Sequence, residues 1–360
     1  MLNLCNDVSD ISELFDRSKR LILYGAGAST RLILQAYYDK GLRDCLEFIV
    51  DINDNMDGQE CIVEADSEIR VMIRSLKTFC NEYAGIAKDF ILVITPYIAL
   101  SIVPHLDLIM ELEGVDTYIY SLIANKEKPG PFKLRNTKEA LIPKKIHYFW
   151  LGGNPLSVDY KKNIESWKKY APGYEIIEWN EDNYDIYAHH YTSEAMQHKQ
   201  YMYITDYARK DILYKYGGIY LDVDVELLNP IDDLLYNEAF IGIDDGGQLN
   251  SGSGLGAIAY NPIIKELRDL YDDISFCNRD GSLNLKYNTY YESSYMIKKR
   301  FELKNKFQTF DGMNCFPREV FMPEGFIGLK DNYTKQTLAN HKVNPYDKTS
   351  VKRILQRIKE

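Results

Sequence analysis

Apolar and polar residues alternate without interruption through GGIYLDVDVELL, residues 217–228. Ile219, Leu221, Val223, Val225 and Leu227 are apolar, and Tyr220, Asp222, Asp224 and Glu226 fall between them. A period of two predicts a β-strand with one buried face, here with three acids on the other. Residues 20–123 instead switch period repeatedly. RLILYGAG reads as a strand and a glycine turn, and STRLILQAYYDKG as a helix closed by Gly41. LEFIVD and FILVIT are further strands, and VDTYIYSLI the last. This βαβ series predicts a parallel sheet with helices on both faces. The most apolar run, Phe90 to Leu106, is broken by Pro96 and Pro104, so it reads as strand, turn and helix instead of a membrane span.

A charged segment, NKEKPGPFKLRNTKEA, follows with Pro129, Gly130 and Pro131. It reads as a linker. IPKKIHYFW then opens a second α/β region that runs to about residue 346. In the tail KTSVKRILQRIKE, Val351, Ile354, Leu355 and Ile358 recur at helical spacing among Lys and Arg. Such a helix can lie on an anionic membrane surface, or dock on its own domain. The expected division is 1–124, a linker at 125–141, 142–346 and a basic tail at 347–360.

Composition narrows the function classes. The chain has 360 residues, 45% hydrophobic and 27% charged, which suits globular domains with real cores. A net charge of -10 disfavours nucleic acid as a partner. The six cysteines (Cys5, Cys45, Cys61, Cys80, Cys277 and Cys315) are scattered, with no CxxC pair, as in a reduced cytoplasmic protein. MLNLCNDVSDISELF lacks the apolar core of a signal peptide.

The acidic face of 217–228 has two readings. Charges can simply blunt an exposed sheet edge. Alternatively, Asp222 and Asp224, roughly 6–7 Å apart along a strand, share a hard divalent cation such as Mg²⁺ or Mn²⁺ that relieves their repulsion. Three other segments carry candidate chemistry. In TDYARKDILYKYGG, Asp206 and Arg209 share one helix face, either as a surface ion pair or as ligand-gripping groups. IHYFWLGG ends a strand with Trp150 and two glycines. LNSGSG, 249–254, reads as a small polar loop that lets a ligand approach the backbone. In the first region, Gly25 and Gly27 of LYGAGAST form a partial dinucleotide fingerprint with Thr30 at the third glycine, and Asp51 ends the next strand where a ribose-binding acid sits. That region resembles the small Rossmann-like domain preceding bacterial sugar-modifying acyltransferases, in ILYGAGAS and FIVDINDNMDG. It reads either as a nucleotide site or as a structural docking domain.

Taken in order, IPKKIHYFWLGG, ESWKKYAPGYEIIEWNEDNYDI, TDYARKDILYKYGGIYLDVDVELLNPIDDLL and LNSGSGLGA resemble glycosyltransferase family 32, the DXD sugar transferases, which share a core signature with the large bacterial glucosylating toxins. The resemblance spans about residues 142–345. It implies a GT-A fold, a nucleotide-sugar donor (UDP-hexose before GDP), a divalent metal, Mn²⁺ or Mg²⁺, and retention at the anomeric carbon. It also implies roles. Phe149 and Trp150 hold the base, Asp206 and Arg209 grip the sugar hydroxyls, and Tyr220 lies beside the diphosphate or ribose. Asp222 and Asp224 bind metal, Asn250 contacts the sugar or reacting centre, and His341 is the only retained residue of a C-terminal His-His-Tyr closing segment. This last departure leaves the third metal ligand open.

The expected activity is therefore hexose transfer to a saccharide or lipid-linked oligosaccharide in surface-polysaccharide or capsule synthesis on the cytoplasmic membrane face. With no acid required as nucleophile, front-face attack is favoured over a glycosyl-enzyme intermediate on Asp206. Two rival readings are a nucleotide-sugar oxidoreductase run by the first domain and a non-catalytic sugar-binding scaffold. Thr30 and the lack of a following Tyr-x-x-x-Lys couple count against the former, and the intact DXD counts against the latter.

Overall fold

The computed structural model describes residues 1–83, 85–324, 331–342, 354, 356 and 357. Among these residues, two seven-stranded sheets and a two-stranded ribbon form, in the α/β class the sequence predicts. The first sheet contains β1 (Asn3–Leu4), β2 (Arg20–Tyr24), β3 (Leu46–Asp51), β4 (Glu60–Glu64), β5 (Glu68–Ser75), β6 (Phe90–Ile94) and β7 (Asp116–Ile119). Their spatial order is β1-β7-β6-β2-β3-β5-β4. All neighbours are parallel except β4, which returns against β5. The strands β6 and, after the exposed Arg20, β2 are continuous apolar runs because helices cover both faces of a parallel sheet. Chain direction across the sheet reverses between β2 and β6, the switch point where such sheets form a crevice.

Two local details differ from the expectation. VDTYIYSLI is a strand only to Ile119 and then turns into a short helix, Tyr120–Ala124. The β4–β5 hairpin was not anticipated, although its side chains alternate exposed and buried through Glu60–Glu64 and Glu68–Ser75.

The second sheet and the ribbon contain β8 (Lys145–Phe149), β9 (Glu175–Trp179), β10 (Gly218–Tyr220), β11 (Val225–Leu227), β12 (Ala239–Ile243), β13 (Leu249–Ala257), β14 (Gln308–Phe310), β15 (Met313–Phe316) and β16 (Ala339–His341). The sheet order is β14-β15-β12-β13-β10-β8-β9, with β13 running antiparallel to both neighbours. The strands β11 and β16 pair separately.

The expected single strand at 217–228 is corrected here. It is two short strands, β10 and β11, in different sheets. The Val225 amide donates to the Asp222 carbonyl at 3.0 Å, closing a turn, while the Asp222 amide donates to Gly252 on β13 at 3.2 Å. Period two thus continues through a turn. LNSGSG is also corrected. It is not a loop but the start of β13, and every residue of that strand is buried. Its glycines make room for neighbours lying over the backbone. A β-carbon at Gly256 would sit 2.3 Å from the Phe240 ring, and one at Gly254 would sit 2.9 Å from Phe321.

Residues 125–141 contain no helix or strand, yet they are packed. Phe132 stacks on Phe307 with centroids 5.7 Å apart, and the Asn136 and Thr137 amides both donate to the Tyr236 carbonyl. In the tail, Ile354 is buried against the apolar cluster of the first sheet, and Arg357 pairs with Asp107. Val351, Leu355 and Ile358 lie outside the described residues. No described helix is long and apolar enough to cross a membrane.

Candidate active site

The site forms where the helix Tyr201–Tyr216, the β10–β11 turn, β13 and β16 converge. The helix ends at Gly217, whose positive φ of 62° and amide bond to Leu213 cap it. The chain then enters β10 at Gly218, where a β-carbon would lie 2.8 Å from His147 Nε2. His147 is buried, which pushes its pKa down to about 4. Trp179 Nε1–H donates to His147 Nδ1 at 3.0 Å, so the neutral ring carries its proton on Nε2 and donates to the Gly217 carbonyl at 2.9 Å. This fixes the register between β8 and the residues leading to Asp222.

Three candidate ligand residues, Asp222, Asp224 and His341, offer atoms that all lie within 4.8 Å of one another. His341 arrives from β16, directly opposite Val225, and its Nε2 is 3.1 Å from Asp224 Oδ1. Burial opposes charge on both groups, but their mutual attraction wins. The Asp224 pKa is lowered and the His341 pKa is raised. Two carboxylates and an imidazole suit Mn²⁺ well and Mg²⁺ in part. Glu226 is not part of this cluster. It faces Asn340 across the ribbon and pairs with Lys342 at 2.8 Å.

Tyr220 is buried and its hydroxyl donates to Asp222 Oδ1 at 2.9 Å. Its ring carries the Arg209 guanidinium 4.7 Å above the centroid. Arg209 is 3.4 Å from both Asp206 Oδ1 and Asp222 Oδ2. The Asp206–Arg209 pair is buried, not a surface ion pair. Thr205 holds Arg209 further, accepting from Nε through its carbonyl and from the other nitrogen through Oγ1, each at 2.9 Å. Burial weakens the charge of Arg209, but Asp222, Tyr220 and Asp206 outweigh it and hold the guanidinium protonated. Burial pushes the Asp206 carboxyl up to about 7 against the pull of Arg209 and Lys210. Asp206 Oδ2 is buried with no protein hydrogen bond among the described residues.

Asn250 Oδ1 accepts from the Gly252 and Ser253 amides at 3.0 and 3.3 Å. One point shows how tightly the groups converge. A β-carbon on Gly252 would lie 2.2 Å from Asp222 Oδ2, 3.1 Å from Arg209 and 3.2 Å from Asn250 Oδ1. Gly252→Ala therefore has to displace the Asp222 carboxylate. We expect Mn²⁺ affinity, read by calorimetry, to fall by at least about 10-fold, the scale of a disturbed ligand orientation.

Phe149 and Trp150 separate, since β8 ends at Phe149 and Trp150 is the first residue beyond it. Phe149 is buried against Tyr184, Trp179 and Tyr220. Trp150 is half-buried, packs edge-on against Tyr160 and donates its Nε1–H to the Asn154 carbonyl. Gly25, Gly27 and Asp51 lie on the first sheet, away from this convergence. Asp51 accepts there from the Ala26 and Asn53 amides at 2.7 and 2.9 Å.

Sequence reasoning missed the groups behind the site. Lys210 and Glu292 form a fully buried ion pair at 2.7 Å. Lys210 Nζ also donates to the Asp206 carbonyl at 2.6 Å, and Ser251 Oγ donates to Glu292 Oε1 at 2.6 Å. Lys210 adjoins the recognised Asp206–Arg209 motif, but nothing near Glu292 marks it as the partner.

The comparisons with known proteins bear on this geometry. A family model for the glycosyltransferase sugar-binding region containing the DXD motif matches residues 157–241. This part of the chain is similar to DXD-type glycosyltransferases. The matched span includes Asp206, Arg209, Tyr220, Asp222 and Asp224, and excludes Phe149, Trp150, Asn250 and His341. Inositol phosphoceramide mannosyltransferase 3 of Schizosaccharomyces pombe is 33% identical over 113 residues, 30% of this chain and 32% of that protein. Subversion of eukaryotic traffic protein A of Legionella pneumophila is 26% identical over 200 residues, 47% of this chain and 28% of that one. The matches thus cover about a third of these relatives' lengths. Among solved structures, the PaToxG glycosyltransferase aligns with a TM-score of 0.34 at 15% identity, covering 44% of this chain and 69% of its own.

Proposed function

We propose that the protein is a metal-dependent, retaining glycosyltransferase that moves a hexose from a nucleoside-diphosphate sugar to a saccharide or lipid-linked saccharide acceptor. The observation that carries this reading is the cluster Asp222, Asp224 and His341 beside the buried Asp206–Arg209 pair. A bound Mn²⁺ or Mg²⁺ would be held by these three residues and would neutralise charge developing on the leaving diphosphate. Arg209 adds a fixed positive charge on the same side of the site, and Tyr220 orients Asp222. Asp206 Oδ2 accepts from a sugar hydroxyl and Asn250 bounds the pocket from β13. The acceptor attacks from the leaving-group face, with a diphosphate oxygen taking its proton. Trapping a glycosyl adduct on Asp206 would contradict this route.

UDP is our first choice of nucleotide. One relative is named as a mannosyltransferase, so GDP-mannose belongs beside UDP-hexoses in any donor panel. We assign the acceptor to surface-polysaccharide or capsule synthesis at the cytoplasmic face of the membrane, with peripheral contact through the basic residues of the tail.

The His341–Asp224 contact makes metal binding pH-dependent. The raised pKa of His341 means its proton stabilises the metal-free fold fully below its ordinary 6.5, and that contribution is lost as pH rises through the folded value. Metal must displace this proton. Mn²⁺ affinity should therefore rise with pH from 6.5 through the raised pKa, and calorimetry should show proton release on binding. His341→Asn should bind more weakly and show a flatter profile. An identical pH profile in that variant would remove His341 from the ligand set.

A further inference from the structure

The first sheet presents its crevice at the ends of β2 and β6, where Gly25 and Gly27 lead into the helix Ala28–Tyr37. That crevice already has an occupant. The turn between β12 and β13, residues 244–248, lies over it. Gln248 Nε2 donates to Ser29 Oγ in the first turn of that helix at 3.3 Å. Gly246 sits so close to Tyr97, just after β6, that a β-carbon there would come within 3.0 Å of its ring. Asn125 donates to the Asp245 carbonyl at 2.5 Å. On the opposite side, a β-carbon at Gly247 would meet the Leu303 backbone at 2.8 Å. The turn is self-braced as well, since Asp244 Oδ1 accepts from the Gly246 and Gln248 amides at 2.8 and 3.0 Å.

Two residues beyond this turn is Asn250. A second connection reaches the same strand. Gln35, on the helix Ala28–Tyr37, exchanges two 2.8 Å hydrogen bonds with Ser294 of the helix Asn288–Lys298. The other side of that helix holds β13 directly. Ser293 Oγ accepts from the Leu249 amide at 2.9 Å, and Glu292 accepts from Ser251. Glu292 in turn holds Lys210, which bonds the Asp206 carbonyl.

We propose that the first sheet serves as a clamp, its switch-point crevice taking the chain's own Asp244–Gln248 turn in place of a nucleotide and thereby positioning β13, with Asn250 and Gly252, against the donor sugar. Tyr97, Gly246 and Gln248 are positioning residues, since none touches the reacting groups. This rests on the transferase reading, but docking of the turn can be measured separately.

The test uses the full chain, Gly246→Val and Tyr97→Ala. Hydrogen exchange reads the docking itself. The Gly246, Gln248 and Leu249 amides should be protected in the wild type and lose protection in both variants, and unchanged protection would overturn the clamp. Function is read as Mn²⁺-dependent binding of UDP and GDP, and as turnover of UDP-glucose, UDP-galactose, UDP-N-acetylglucosamine and GDP-mannose. Misplacing the sugar-facing strand should cut turnover by about 10- to 100-fold while nucleoside-diphosphate affinity stays within about 3-fold. The double variant Gly246→Val/Tyr97→Ala, in which the new side chain fills the space left by the ring, should recover part of the turnover. Turnover within twofold of wild type in both single variants would overturn the proposal, as would equal losses of turnover and nucleotide affinity. A wild-type thermal shift with NAD or UDP that ignores metal and persists in Asp224→Asn would also overturn it, by showing the crevice open to nucleotide. Absence of any Mn²⁺-dependent nucleotide binding in the wild type would instead remove the transferase reading and leave the exchange result to judge the docking.

Discussion

We expect Asp224→Asn to cut the proposed sugar transfer by about 10²- to 10³-fold in kcat, the scale of removing one preorganised electrostatic group from a developing charge. The structural reason is the position of Asp224 between Asp222 and His341. It is only partly exposed to water, and the attraction of His341 keeps its carboxyl ionised. An amide has nearly the same shape but no charge, so the fold should survive while the metal cluster loses one anion. Urea unfolding separates the two effects. Its midpoint should move little, because the metal-free fold loses only a half-exposed ion contact, whereas turnover falls. Retained turnover at more than a tenth of wild type would mean that the acids at 222 and 224 do not carry the chemistry.

Glu292→Ala is the largest expected change in stability. Lys210 and Glu292 are both fully buried, and burial lowers the Lys210 pKa against the pull of Glu292. Removing the carboxylate strands an ammonium in the interior, which costs about 3–5 kcal/mol. The loss should shrink as pH rises, because a neutral lysine is tolerated where a charged one is not. Lys210→Met with Glu292→Leu should recover most of the stability, since apolar replacement of a buried pair is often neutral. Chemical denaturation of the single and double variants checks this. A single variant within 1 kcal/mol of wild type would show that the pair contributes nothing specific. In the double variant, Ser251 Oγ loses its acceptor and the Asp206 carbonyl loses its lysine donor, so turnover should remain below wild type even with the fold restored.

How much of this was legible in the sequence varies with the physics of each element. Strands such as FILVI and, after its first residue, RLILY announce themselves because a doubly covered parallel strand must be apolar throughout. The Asp206–Arg209 motif was legible because helical spacing places both groups on one face. The break after Tyr220 was not, because the alternation of side chains runs straight through the turn closed by Asp222 and Val225. LNSGSG misled for the opposite reason. Its glycines suggest a loop, but they are there because Asp222 and Phe321 occupy the space where side chains would stand. Contacts between residues distant in sequence leave no local trace. Neither the Lys210–Glu292 pair nor the turn seated at Ser29 and Tyr97 could be read from spacing.

In the proposed reading, Asp222, Asp224 and His341 hold a metal ion against a nucleotide-sugar diphosphate. A thermal-shift panel tests it most directly, with UDP, GDP, CMP and NAD, each with Mn²⁺ and with chelator, on wild type and Asp224→Asn. A ligand at about 100 times its dissociation constant adds roughly 2.7 kcal/mol of stability, a rise of several degrees. We expect a Mn²⁺-dependent rise with UDP or GDP in wild type and none in Asp224→Asn. A rise only with NAD, indifferent to metal and to the substitution, would contradict it and move the activity to the first sheet.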